Sequence, residues 1–281
     1  DRKIFEEMRR GNVTAANCTC SVWENFRDTM ENISIWKKHL ALNTDILLEV
    51  RTPDDIIKAK RENKTGIILG FQNGAPFEDN PGFVGLFREL GVGIAQLTYN
   101  TQNLIGTGCY EPDGGLSGFG KEIVSEMNRV GMVVDLSHVG PQTSIDTIEF
   151  SKKPVAYSHC LPSGLKKHPR NKSDEQLQFI AKNGGFIGIT MFSPFLKKGL
   201  NSTVHDYVAA IGYVTELVGD DCVGIGTDFT QGHGADFFEW ITHDKGKARK
   251  LVEFGEIANP EGIRSIEEFP NITSAMLAAD W

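Results

Sequence analysis

Residues 117–138 read SGFGKEIVSEMNRVGMVVDLSH, and residues 154–159 read PVAYSH. The first stretch predicts a helix over Ser117–Val130, stopped by Gly131, and then a strand over Met132–His138. The second predicts the next strand, Pro154–His159. Both strands are apolar on both faces and then turn polar at their C-terminal ends. Strands of that kind belong to a buried parallel sheet.

The same alternation runs outward in both directions. Further strands are expected at Val13–Thr19, Ile46–Val50, Gly66–Gln72, Gly93–Tyr99, Phe186–Phe192 and Val223–Phe229. Helices are expected at Thr52–Arg61, Asn80–Leu90, Ser173–Lys182 and Thr203–Val218. Thr52-Pro53-Asp54-Asp55 supplies a cap, a proline in the first turn and acids beside the helix N-terminus. A repeated strand–helix order calls for an α/β fold with right-handed crossovers. Seven or eight such strands suit a (β/α)8 TIM-type barrel better than an open sheet. No Pro-, Ser- or Gly-rich linker divides the chain, so residues 1–281 are read as one domain. Residues 231–281 are less periodic and are expected to pack over the barrel rim.

Composition narrows the function classes. The chain has 281 residues, 40% hydrophobic, with a net charge of −8. An acidic surface argues against nonspecific nucleic-acid binding and against anionic membranes. No apolar run reaches the ~18 residues of a spanning helix. Five cysteines, an odd number without a CxxC pair, do not make a disulfide framework. The sequence also lacks a phosphate-binding G-x-x-x-x-G-K-[ST] and a G-x-S-x-G nucleophile elbow.

In a barrel of this type, chemistry is built at the C-terminal strand ends. Those ends carry Gln72, Tyr99, His138, His159 and Asp228. Two neutral imidazoles at neighbouring strand ends can reach one metal ion, since adjacent strands lie ~4.8 Å apart. Asp228, after an apolar strand, is read as a general base and acid, a metal ligand or the cap of the next helix. Arg170-Asn171 lies in a loop beside the site, where an arginine can take a substrate carboxylate bidentately or simply face solvent. Asp135 is read as a supporting group rather than a ligand.

These residues also carry a resemblance. The runs Asp135-Leu-Ser-His138, Ser158-His159, Arg170-Asn171 and Gly224-Ile-Gly-Thr-Asp-Phe229, in this order, are similar to those of the renal-type (membrane) dipeptidases. The chain resembles a divergent, bacterial-like branch of these amidohydrolase-type metallo-barrels, colinearly from Gly66 to Phe229. The resemblance implies zinc, a dipeptide substrate and hydrolysis by a metal-activated water. It implies His138 and His159 as ligands of one metal, Asp228 as the acid that handles the proton, and Arg170 as the holder of the substrate carboxylate. Two positions depart from the family. Gln72 stands where a glutamate bridges two metals, and Tyr99 stands where a histidine contacts substrate. A neutral glutamine is a poor bridge for two dications, so one or two zinc ions are expected, with Gln72 arguing against the second. Tyr99 can still donate to a developing oxyanion, and Gln72 and Asn171 are placed with the substrate-binding groups.

The family's His-x-Asp strand has no counterpart here. The first barrel strand is expected to precede Asp1, which leaves Ile46–Val50 as an accessory strand. The reading is a metal-dependent dipeptidase acting on a small molecule, cytoplasmic, with a homodimer open. The alternatives are a hydrolase of non-peptide amides and a metal-poor barrel that binds a small molecule without turnover.

Overall fold

Residue by residue, Thr65–Phe71 is almost wholly buried, which makes it the interior strand on which the sheet is assembled. The computed structural model describes residues 2–281. In chain order the first half forms α1 (Arg2–Arg10), β1 (Ala15–Ser21), α2 (Phe26–Leu42), β2 (Leu47–Glu49), α3 (Pro53–Arg61), β3 (Thr65–Phe71), α4 (Gly82–Glu89), β4 (Val92–Gln96), α5 (Gly118–Val130) and β5 (Val133–Asp135). The second half forms α6 (Pro141–Phe150), β6 (Ala156–Cys160), α7 (Asp174–Lys182), β7 (Phe186–Ile189), α8 (Val204–Val218), β8 (Val223–Ile225), α9 (Ala235–Thr242) and α10 (Pro270–Leu277).

All strand pairs are parallel, in the spatial order β1-β3-β4-β5-β6-β7-β8. One edge of β3 carries β1. The other edge is shared, with β2 on residues Thr65–Ile67 and β4 on Leu69–Phe71. β2 is thus an accessory strand wedged beside the N-terminal half of β3. The result is a curled α/β sheet of the TIM-barrel type. Among the described residues no pairing joins β8 to β1, so the sheet stays open on that side. No helix among the described residues is long and apolar enough to cross a membrane.

The helices begin where the sequence places their caps. Ser117 Oγ accepts from Gly120 N at 2.9 Å, and Gly131 takes the left-handed conformation, φ 72°, that ends α5. Ser173 with Gln176 and Thr203 with Asp206 form reciprocal capping boxes on α7 and α8. Ile123, Val124 and Met127 form the buried face of α5. Five helices, α1, α2, α6, α9 and α10, are ones the pattern did not separate. The segment 231–281 divides. Phe237, Trp240 and Ile241 of α9 reach the rim, as expected, whereas α10 packs beside α8.

Four strands end three or more residues earlier than the sequence suggests. β4 stops at Gln96, β5 at Asp135, β7 at Ile189 and β8 at Ile225, so Tyr99, His138 and Asp228 lie in the turns beyond. At β5 the cause is local: Asp135 Oδ1 accepts from Ser137 N at 3.0 Å, a side-chain turn that takes the chain out of the ladder.

Phe87 of α4 is wholly buried, and its ring meets those of Phe26, Phe71 and Phe77. Phe87→Ala is expected to lower unfolding free energy by about 3–5 kcal/mol, read as a fall in the urea midpoint. A loss under about 1 kcal/mol would show that this cluster is not part of the stabilising core.

Candidate active site

His138 is held at both ends of its peptide unit. Its N–H donates to buried Gln96 Oε1 at 3.1 Å, and its carbonyl accepts from Cys109 N at 3.0 Å. Tyr99 stacks on its ring at 4.1 Å between centroids, with Trp23 edge-on behind Tyr99 at 4.9 Å. On β6, His159 N–H donates to Ser137 Oγ at 3.0 Å. The two rings meet with Nε2 facing Nε2 at 3.0 Å.

The outer nitrogens decide what these Nε2 atoms carry. His138 Nδ1 lies 2.7 Å from Asn100 Oδ1, an acceptor, and so bears the hydrogen. His159 Nδ1 lies 2.8 Å from Ser158 Oγ. Ser158 donates its own proton to Asp135 Oδ2, so its oxygen accepts from His159. Asp135 also accepts from Ser137 N, Ser137 Oγ and Ser158 N, at 3.0, 2.7 and 3.0 Å. With the Ser158 proton directed at Asp135, both imidazoles present bare Nε2 lone pairs to the same point. Burial, with Arg170 close by, holds both rings neutral, with pKa values pushed well below the usual histidine value.

Two converging neutral imidazoles are the donor set that zinc takes. Among the described residues no group of three or more His, Cys, Asp or Glu side chains adds to the pair. Gln72 donates through Nε2 to Thr19 Oγ1 at 3.0 Å. It carries no charge with which to bridge two ions. The described residues thus supply two of the nitrogen donors of the kind a zinc ion takes.

The remaining side chains surround the same space. Gln72, Tyr99, His138, His159, Arg170 and Asp228 line one cavity of about 1050 Å³. Asp228 sits in a left-handed turn, φ 57°, and accepts no hydrogen bond among the described residues. Burial raises its pKa to about 6, against the opposing pull of Arg170. It does not cap the next helix, because that role falls to Gly234. Arg170 is 1% exposed. Its Nη1 donates to Ser137 O and its Nη2 to His159 O at 3.3 Å, while Nε has no partner. The guanidinium thus ties together the two strand ends that carry the histidines. Asn171 is not on the cavity wall. It donates to Lys166 O and Phe195 O, at 2.8 and 3.2 Å, and anchors the loop that places Arg170. Tyr99 is buried with no hydrogen bond to its hydroxyl, and burial next to Asp228 pushes its ionisation upward, so the O–H remains a donor.

Sequence reasoning did not single out Asn100, Ser158 or Trp23. Asn100 and Ser158 each adjoin a residue that it did.

A family model described as membrane dipeptidase (peptidase family M19) matches residues 2–254. The chain belongs to this family. An uncharacterized dipeptidase of Schizosaccharomyces pombe is 34% identical over 211 residues, covering 72% of this chain and 51% of its own length. Dipeptidase tcpJ of Claviceps purpurea is 28% identical over 258 residues, covering 90% and 55%. The chain thus spans about half the length of these curated relatives. Among solved structures, an amidohydrolase from Pseudomonas aeruginosa superimposes with a TM-score of 0.99 at 63% identity, covering 100% of this chain and 86% of that one. A metallo peptidase from Rhodobacter sphaeroides, liganded with a phosphinate mimic of the dipeptide L-Ala-D-Ala, shares the fold at a TM-score of 0.80 and 16% identity, covering 98% of this chain and 83% of that one.

The Asp228 carboxyl is raised from 3.8 to about 6 in the fold. Between those values the folded state binds more protons than the unfolded chain, so this group's contribution falls as pH rises through the window. Its full penalty applies above the upper value. Asp228→Asn in metal-free protein is expected to raise unfolding free energy by about 1–3 kcal/mol at pH 7.5. The gain should shrink toward zero by pH 4. Urea titrations at the two pH values read the difference, and an equal gain at both would contradict the assigned cause.

Proposed function

We propose that the protein is a metal-dependent hydrolase that cleaves the amide bond of dipeptides, or of similar small amides bearing a carboxylate. The observation that carries this reading is the pair of Nε2 lone pairs facing each other at 3.0 Å, in one cavity with Asp228 and Arg170. The fungal relatives named as dipeptidases, and the dipeptide mimic bound by the Rhodobacter enzyme, support the substrate class.

His138 and His159 would hold one zinc ion. When bound, zinc supplies Lewis-acid polarisation of the scissile carbonyl and acidifies the attacking water. Asp228, unencumbered by hydrogen bonds, accepts the water's proton and returns it to the leaving amine. Arg170 retains its Nε–H, with further Nη hydrogens, to receive the substrate carboxylate. Its contacts with Ser137 O and His159 O fix that charge relative to the histidines. Tyr99 donates its O–H to the carbonyl oxygen as negative charge develops there. Gln72 presents its amide oxygen to the substrate backbone, since its Nε2 is engaged by Thr19. A non-peptide amide is the second reading. It is favoured by Gln72 and Tyr99, which give this cavity a neutral wall.

Elemental analysis is expected to give about one zinc per chain, lost in His138→Ala and His159→Ala. Asp228→Asn should lower kcat by roughly 10²–10⁴-fold while zinc is retained. Because the Asp228 base must be ionised, kcat/KM should fall as pH drops through about 6. The assay is a panel of L,L- and L,D-dipeptides beside simple acyl amides. Hydrolysis confined to the acyl amides selects the second reading. Zinc-loaded protein inactive on the whole panel would overturn the hydrolase assignment.

A further inference from the structure

The two imidazoles are supported in unequal ways. Ser158 Oγ can serve His159 Nδ1 as acceptor or donor by turning its proton, since Asp135 and His159 are both within reach. Asn100 offers His138 only its carbonyl oxygen, because the same Oδ1 also receives the Cys109 thiol at 3.4 Å. The placement of that oxygen is built into the backbone. Asn100 adopts the left-handed conformation, φ 61°. Its carbonyl is pinned by Tyr110 N at 2.9 Å, and a Cβ at Gly108 would collide with its main chain. The loop closes further through the bond from Cys109 N to the His138 carbonyl at 3.0 Å.

The arrangement excludes a competing state. At 3.0 Å, an Nε2–H on either ring would donate to the other ring's Nε2 and block both ligand atoms. Without an acceptor at Nδ1, His138 is free to place its hydrogen on Nε2 and form that bond.

Resting on the reading of these histidines as zinc ligands, we propose that Asn100 is a positioning residue. It locks His138 as the Nδ1–H tautomer and so keeps the Nε2 pair open to the metal. His138 is then the preset ligand and His159, through Ser158, the one that adjusts. Groups that fix a ligand's tautomer are worth about 10–100-fold in metal affinity.

The test uses Asn100→Gly, which removes the amide without straining a left-handed backbone, and Asn100→Asp, which tolerates that backbone and can only accept. Two readouts are taken: zinc dissociation constants by chelator competition, and the His138 tautomer in metal-free protein by long-range ¹H–¹⁵N NMR. Asn100→Gly is expected to weaken zinc binding by about 10–100-fold and to move the His138 hydrogen to Nε2. Asn100→Asp should keep the Nδ1–H tautomer and bind zinc within about threefold of the parent or tighter. An unchanged tautomer in Asn100→Gly overturns the proposal, as does loss of affinity in Asn100→Asp equal to that in Asn100→Gly. If the parent protein itself takes up no zinc, the functional reading fails, while the tautomer measurement still decides the role of Asn100.

Discussion

Two neutral imidazoles with Nε2 atoms 3.0 Å apart and both lone pairs inward repel each other. The neighbouring structure is arranged to hold them there. Gln96 and Cys109 clamp the His138 peptide, Ser137 Oγ holds the His159 N–H, and Arg170 links the Ser137 and His159 carbonyls. These contacts come from three successive strand–loop units, those of β4, β5 and β6. The parallel sheet matters to the site chiefly because it brings those strand ends to one face at fixed spacing. A cation between the rings turns the repulsion into attraction, so metal binding and the stability of this end of the barrel are linked.

The same geometry sets the local electrostatics. Arg170 and Lys172 are both buried, and each donates to main-chain carbonyls, Lys172 to Val139 O at 2.9 Å. Fixed positive charge beneath the site disfavours histidine protonation, which keeps the rings available as ligands. It also tempers the rise of the Asp228 pKa that burial alone would produce. One charge therefore serves three neighbours, and its removal would change all of them together.

Much of this was legible in the sequence, for physical reasons that differ by level. The barrel class follows from strands apolar on both faces and from helix caps at fixed offsets; Ser117, Gly131, Ser173 and Thr203 mark helix ends to within a residue. The 17-residue α2 was missed because its polar and apolar residues, such as Ile35-Trp36-Lys37-Lys38, mark no clear stripe. Strand ends were overextended at Tyr99, His138 and Asp228, since the polar side chains that form a site also turn the backbone out of the ladder. The histidines could be read because each sits in a short distinctive run. The Asn100–His138 contact spans 38 positions and depends on a left-handed backbone, which no local pattern reports.

Asp135 and Asp228 show how environment, and not residue type, divides the labour of two carboxylates at one site. Asp135 is saturated: two backbone amides and two serine hydroxyls donate to it, and its orientation is fixed. A carboxylate so engaged has its oxygens occupied by the protein and acts by orienting Ser158 and, through it, His159. Asp228 accepts no hydrogen bond among the described residues, lies on a left-handed turn beyond β8, and has its burial only partly offset by the charge of Arg170. The cost of keeping it ionised raises its pKa to about 6, which suits the proton-accepting role proposed for it. The fold satisfies the carboxylate that orients the histidine and leaves unsatisfied the one proposed to take the proton.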